Sequence, residues 1–281
     1  MDGTVESRGT ELELTLLGGA RALLERHARE LPQRDDLCGA FCGALALHAA
    51  GIDVHDGEPL DQDAVAHVAG TTVSRMPDLA ALPHGERGRR DYRIEPPLVD
   101  AGTESGTNCA GVVRALEQLS SGRLAAIALQ GPWTGTALDG LFELLAALER
   151  PATLIANVST RELWGSRARF EQLLGHLLDG TPDGPPPDWD VGHFVCVVGR
   201  TRGPGGSIYA IADTYPSLGR DGVHMQPRER LVRALERPGM TSGGVLATVA
   251  VKDAPGVRAA AARLGLTEGA WDNGSVAAER L

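Results

Sequence analysis

A chain of 281 residues with 42% hydrophobic content can bury a sizeable core, which excludes disorder as its default state; aromatics supply only 4%, so Ala, Leu and Val must build most of that core. The formal net charge of −10 is spread over many carboxylates without a long single-sign block, which marks it as a solubility feature and excludes general nucleic-acid binding. Lys252 is the only lysine, so a phosphate loop of the G-x-x-x-x-G-K-[ST] type is excluded and no other residue could form a Schiff base.

The chain opens on Asp2, Glu6, Glu11 and Glu13, where a signal peptide needs a basic stretch and then a long apolar run. No later stretch is long and apolar enough to span a bilayer, so a cytoplasmic protein without a membrane partner is expected. Leucines and alanines at helical spacing from Glu11 to Glu30 predict a leading amphipathic helix ended by Pro32. A second helix is predicted from Cys38, because GAFCGALALHAAG is almost wholly apolar, as a helix buried on all sides must be, and Gly51 stands at its C-terminal cap. Asp61 caps a short third helix that Gly70 closes.

Residues 71–106 are rich in Pro, Gly and charge and predict an irregular insertion lying over a cleft. Within it Arg87, Arg89, Arg90 and Arg93 read as a solvated loop. Helix Cys109–Leu119, strand Leu124–Leu129, helix Ala137–Leu148, strand Ala152–Val158 and helix Arg167–Leu178 are predicted to follow. GHFVCVVGR (192–200), the turn GPGG and SIYAIAD (207–213) form a β-hairpin signature, and GVLATVAV (244–251) predicts one more strand. From Asp253 an Ala-rich helical piece and a polar end either fold back on the body or hang free. The organisation expected is one domain over 1–252 with an insertion around 71–106, and a C-terminal tail over 253–281.

Four cysteines in such a chain make no disulfide framework and lack the C-x-x-C spacing of a structural zinc site, so free thiols are expected. A thiolate is stabilised at the start of a helix by unpaired N–H groups and the positive end of the dipole, and Cys38 is predicted to stand there. Gly39 beside it would let a substrate backbone approach the sulfur. His193 opens a buried strand and would be the base. Asp213 ends the neighbouring strand of the hairpin, where it would hold the imidazole in one tautomer. Cys42, one turn further into the helix, reads as a small buried hydrophobe and the fallback nucleophile; Cys109 and Cys196 read as structural. His48, His55 and His67 share no face or spacing that suggests a metal site, and no metal or other cofactor is expected.

The run Cys38-Gly39-Ala40-Phe41-Cys42-Gly43-Ala44-Leu45, the phrase His193-Phe194-Val195 running into Val198-Gly199-Arg200, and Ile211-Ala212-Asp213 resemble the three blocks of the bacteriocin-processing, double-glycine leader peptidases, which are papain-like cysteine peptidases. The apolar stretch Pro151–Val158 sits where that family has a strand before the histidine block. The resemblance implies an α+β, papain-like fold, with the Cys38 helix packed against an antiparallel sheet carrying His193 and Asp213. It implies Cys38 as nucleophile, His193 as general base and Asp213 as orienting residue. Gln33 would add a side-chain donor to an oxyanion hole shared with the Cys38 backbone N–H. Two positions depart from the family pattern: Gln33 stands one place closer to the cysteine, and Thr214 follows the aspartate where proline is common.

The substrate expected is a peptide or a small amide or thioester. Three readings stay open: a peptidase or amidase, an amide-forming acyltransferase on the same scaffold, and a non-catalytic protein that holds a peptide in the cleft.

Overall fold

The longest strands are apolar at almost every position rather than at alternate ones, and a sheet built from them must be covered on both faces. In the computed structural model, which describes residues 11–277, this is the arrangement. The chain begins with β1 (Glu13–Leu16), α1 (Ala20–Glu30) and α2 (Cys38–Ala49). A small hairpin, β2 (Val54–His55) and β3 (Glu58–Pro59), leads into α3 (Gln62–Ala69). The largely irregular stretch that follows contains β4 (Val73–Ser74) and β5 (Leu98–Val99). Then come α4 (Cys109–Leu119), β6 (Leu124–Gln130), α5 (Gly135–Ala146), β7 (Thr153–Ser159), α6 (Phe170–Asp179), β8 (Gly192–Arg202) and β9 (Ser207–Ala212). The last elements are β10 (Val223–Pro227), α7 (Arg228–Glu236), β11 (Gly244–Ala250), α8 (Ala254–Arg263) and β12 (Thr267–Glu268).

The main sheet runs β10-β9-β8-β7-β11-β6-β12, every neighbouring pair antiparallel, with β1 paired to the far half of β8. The chain is therefore an α+β protein with one large antiparallel sheet. Alternation along the strands divides its core in two. Ala126, Ala128, Ile155, Phe194, Cys196 and Leu246 face α1 to α4, while Ile127, Leu129, Leu154, Val195, Val245 and Ala247 face α5, α7 and α8. Each fully buried Val, Leu or Ile contributes about 1.5–3 kcal/mol, so these two faces, more than helix propensity, hold the layers together. The many Ala and Gly residues let α2 sit close to its neighbours: a Cβ on Gly43 would lie 2.9 Å from Val65 Cγ1.

Several expectations need correction. The helix predicted from Glu11 is a strand followed by a helix, because Leu12, Leu14 and Leu16 alternate with Glu13 and Thr15 at period two and Gly18-Gly19 separates the elements. Leu16 lies over Gly199 of β8, where a Cβ would come within 2.6 Å of it. Three of the four arginines, Arg89, Arg90 and Arg93, are anchors, while Arg87 is exposed as expected. Arg93 pairs with Asp61 at 2.8 Å, Arg89 donates to the Pro32 carbonyl at 2.8 Å, and Arg90 reaches the Ser74 carbonyl and the Asp35 carboxylate. The C-terminal segment folds back. Ala254, Val257 and Ala261 of α8 enter one core, β12 extends the sheet, and Trp271 is buried in the other core. Strands β10 and β12 and helix α7 were not predicted. No helix among the described residues is long and apolar enough to cross a membrane.

Candidate active site

Cys38 is the first residue of α2, where the backbone N–H groups have no intrahelical partner. The loop that delivers it is fixed at nearly every residue. Arg34 N–H donates to Gln62 Oε1 at 2.7 Å, and its guanidinium lies 2.8 Å from the buried Asp63 carboxylate. Asp35 exchanges hydrogen bonds with the backbone of Arg89, and Asp36 accepts from Ser74 N–H at 2.9 Å. Burial raises the Asp36 carboxyl above the usual carboxylate range, and Ser74 N–H and Ser105 oppose that shift. The insertion around 71–106 thus braces the loop before the cysteine.

His193 is the second residue of β8, and Asp213 follows the last residue of β9. The hairpin register, with Cys196 opposite Ala212, brings strand start and strand end together. His193 Nε2 lies 3.0 Å from Asp213 Oδ1, and both side chains are buried. Nε2 also faces Thr214 Oγ1 at 3.2 Å, so Nδ1 is the ring nitrogen left open, and Cys38 is near enough for its charge to favour the imidazolium. The three remote stretches meet at one end of the sheet.

Asp213 is held by more than His193. Its Oδ1 accepts the Thr214 N–H at 2.7 Å, and its Oδ2 faces His224 Nε2 at 3.2 Å. Gln226 Nε2 donates to His224 Nδ1 at 3.0 Å, which fixes the His224 proton on Nε2 and aims it at the carboxylate. His27 Nε2 donates to the Asp213 carbonyl at 2.5 Å, and burial depresses the basicity of that ring. Burial alone would raise the Asp213 carboxyl, but the charge of His193 and the hydrogen bonds of His193 and His224 hold it far below the usual carboxylate range. For His193, burial disfavours the imidazolium, yet Asp213 and then Cys38 outweigh it and lift the ring well above its ordinary value. Trp189 packs edge-on to the ring at 4.9 Å and Tyr215 stacks at 6.2 Å, which shields the pair from water.

Gln33 joins the same cluster. Its N–H donates to the Thr214 carbonyl at 3.0 Å, and its Oε1 accepts the Thr214 hydroxyl at 2.5 Å. The amide is thereby oriented, and its Nε2 has no protein partner among the described residues. The two departures from the family pattern, Gln33 and Thr214, are bonded to each other.

Cys38, His193 and Gln33 line a cavity of about 610 Å³, and Asp213 lies behind His193, outside that lining. Cys38, Gln33, His193 and Tyr215 contribute to it from the body, and residues from Ser74 to Leu82 and from Gly102 to Thr107 contribute from the insertion. Cys38 is partly exposed, whereas Cys42, Cys109 and Cys196 are buried. Burial pushes the Cys42 thiol upward and the Cys109 thiol up to about 11, so neither suits nucleophilic work. The reading of Gly39 as an approach path for substrate is corrected. A Cβ there would meet Thr107 Cβ at 3.0 Å, and Phe194 and Val112 at 3.3 Å, so Gly39 faces the core and serves helix packing. His48 bonds to Asp53 and to the Leu60 carbonyl within its own neighbourhood.

Sequence reasoning missed His224, Gln226, His27, Trp189 and Tyr215, and it noted Thr214 only as a departure from the family pattern. His224 and Gln226 alternate in VHMQP, a period-two pattern that marks one face of a strand. The chain belongs to DUF6885, a family of unknown function, whose model matches residues 17–272 and so spans Gln33, Cys38, His193 and Asp213. No curated protein matches the chain.

Proposed function

We propose that this chain is a papain-like cysteine enzyme that cleaves or transfers an acyl group at an amide or thioester of a small peptide. The observation that carries the reading is that Cys38, at a helix start, and His193, bonded to Asp213, line one cavity. In the proposed reaction the Cys38 thiolate attacks the carbonyl carbon. Gln33 Nε2 and the Cys38 backbone N–H receive the developing oxyanion. The proton on His193 Nδ1 passes to the leaving amine or thiol as the bond to it breaks, leaving a thioester on Cys38. Water or an amine then gives its proton back to His193 and displaces the acyl group. Asp213 keeps Nε2 protonated throughout and stabilises the imidazolium.

Hydrolysis and acyl transfer use the same residues and differ in the acceptor. The test is acylation by p-nitrophenyl acetate, followed as nitrophenolate release and as an acetyl adduct on intact protein by mass spectrometry. The reading expects an adduct on Cys38 that is absent in Cys38→Ala. Release no faster than that of Cys38→Ala, with no adduct, would overturn it. Added amines then separate transfer from hydrolysis by the product formed.

A further inference from the structure

Arg237 is 4% exposed and forms no ion pair among the described residues. Its Nη1 donates to Asn157 Oδ1 and, at 3.0 Å, to the Ser242 carbonyl, both neutral acceptors, and its buried Nε has no partner. Arg200 is buried as deeply, at 2%, and shows how this protein otherwise treats such a charge: Glu143 lies 3.0 Å and Asp139 3.5 Å from its Nη1. A buried cation without a counter-ion is costly, and the cost falls only when an anion arrives.

The surroundings are built to hold this side chain. Arg237 adopts a left-handed backbone, φ 47 and ψ 56, at the end of α7, a conformation that asparagine or glycine would take with less strain. Two glycines flank the guanidinium. A Cβ on Gly192 would lie 2.3 Å from Nη2, and one on Gly243 would lie 2.4 Å from Cδ. Asn157, which receives Nη1, also donates its Nδ2 to the His193 carbonyl at 3.4 Å and accepts Trp271 Nε1 at 3.3 Å. Nη2 therefore passes over the residue that precedes His193, and it has no protein partner among the described residues. Arg237 lines the same cavity as Cys38, and the two are close enough for the thiolate to favour the guanidinium charge. The carboxylates of that cavity are engaged elsewhere. Asp35 holds Arg89 N–H and Arg90, Asp36 holds Ser74 N–H, and Asp78 accepts Ala80 N–H.

We propose that Arg237 is a carboxylate receptor, and that the acyl substrate of Cys38 carries a carboxylate a few bonds from the carbonyl under attack. This rests on the reading of Cys38 as the nucleophile and narrows it to acidic peptides or amides. Iodoacetate and iodoacetamide, which differ by a carboxylate against a neutral amide, probe the receptor directly. The ratio of their alkylation rates at Cys38, divided by the same ratio for N-acetylcysteine, should be on the order of tenfold in favour of iodoacetate. Arg237→Gln should lose that preference and Arg237→Lys should keep part of it. A preference equal to that of N-acetylcysteine, or one that survives Arg237→Gln and so belongs to the His193 imidazolium, overturns the proposal.

Should Arg237→Gln not fold, the native chain decides alone. N-acetylglutamate should slow iodoacetamide modification of Cys38 at concentrations where N-acetylglutamine does not, and equal protection by the two overturns the proposal. Failure of the underlying reading looks different: Cys38 would then react with iodoacetamide no faster than N-acetylcysteine does.

Discussion

The Thr214 hydroxyl donates to Gln33 Oε1 across 2.5 Å, while the Gln33 N–H donates to the Thr214 carbonyl at 3.0 Å. This double tie turns the glutamine amide so that Nε2 is its open donor, and Thr214 also reaches His193 Nε2 at 3.2 Å. Removing one oxyanion donor costs about 10²-fold or more in acyl transfer. Gln33→Ala should therefore lower the ratio of acetylation by p-nitrophenyl acetate to alkylation by iodoacetamide about 100-fold, since alkylation develops no oxyanion. Thr214→Val, which loosens the amide without deleting it, should lower the same ratio about tenfold. Equal losses in both reactions would mean that Gln33 supports the cysteine and not the oxyanion.

The Asp213 carboxylate faces donors only: His193 Nε2–H, His224 Nε2–H and Thr214 N–H. An Asn in its place would turn an amide N–H toward one of them and remove the charge that favours the imidazolium. His193 stands above its unfolded value, so its contribution to stability is fully present below about pH 6.5 and fades as pH rises through the folded value. Asp213 stands below its unfolded value, so its contribution is present above about pH 4 and fades as pH falls through the folded value. The melting temperature attributable to the pair should thus be highest between those limits. By NMR the His193 Cε1–H resonance should show an imidazolium at pH 7. In Asp213→Asn the ring should be neutral at pH 7, and Cys38 alkylation should fall on the order of 10³-fold. A His193 that is neutral at pH 7 in the native chain contradicts this account.

Trp271 lies on a segment that the sequence left undecided between docked and free. It is buried, stacks on Phe194 at 6.5 Å, and donates to Asn157 Oδ1. A Cβ on Gly244 would meet its ring at 2.8 Å, so that glycine makes the seat. Trp271→Ala should cost about 3–5 kcal/mol in urea unfolding, the usual loss for a large buried aromatic. A loss below about 1 kcal/mol would show that the segment is only loosely attached.

What could be read in the sequence was local. Cys38 and Gly39 open an apolar run, Asp61 and Gly70 bracket a capped helix, and GHFVCVVGR with SIYAIAD pairs as a hairpin; each signal lies within one element or two consecutive ones. Misreadings came where two periods compete, as in LELTL, whose leucines satisfy a strand as well as the start of a helix. Helix α7 was legible in retrospect from Leu231, Ala234 and Leu235, which share one face. The ring of support around Asp213 was not legible. His27 on α1 reaches the Asp213 carbonyl and His224 on β10 reaches its carboxylate, and only folding brings those two rings to one residue. Arg237 left no signal, because an arginine after an amphipathic helix is ordinary until its lack of an ion pair is seen.

A Cys38 that serves as the nucleophile beside His193 must reveal itself in its rate of modification by iodoacetamide at pH 7. Peptide mapping should find Cys38 labelled faster than N-acetylcysteine, the buried Cys42, Cys109 and Cys196 unlabelled in the folded chain, and the advantage lost in His193→Ala. A Cys38 that reacts no faster than N-acetylcysteine, or one whose rate is indifferent to His193→Ala, would contradict the account.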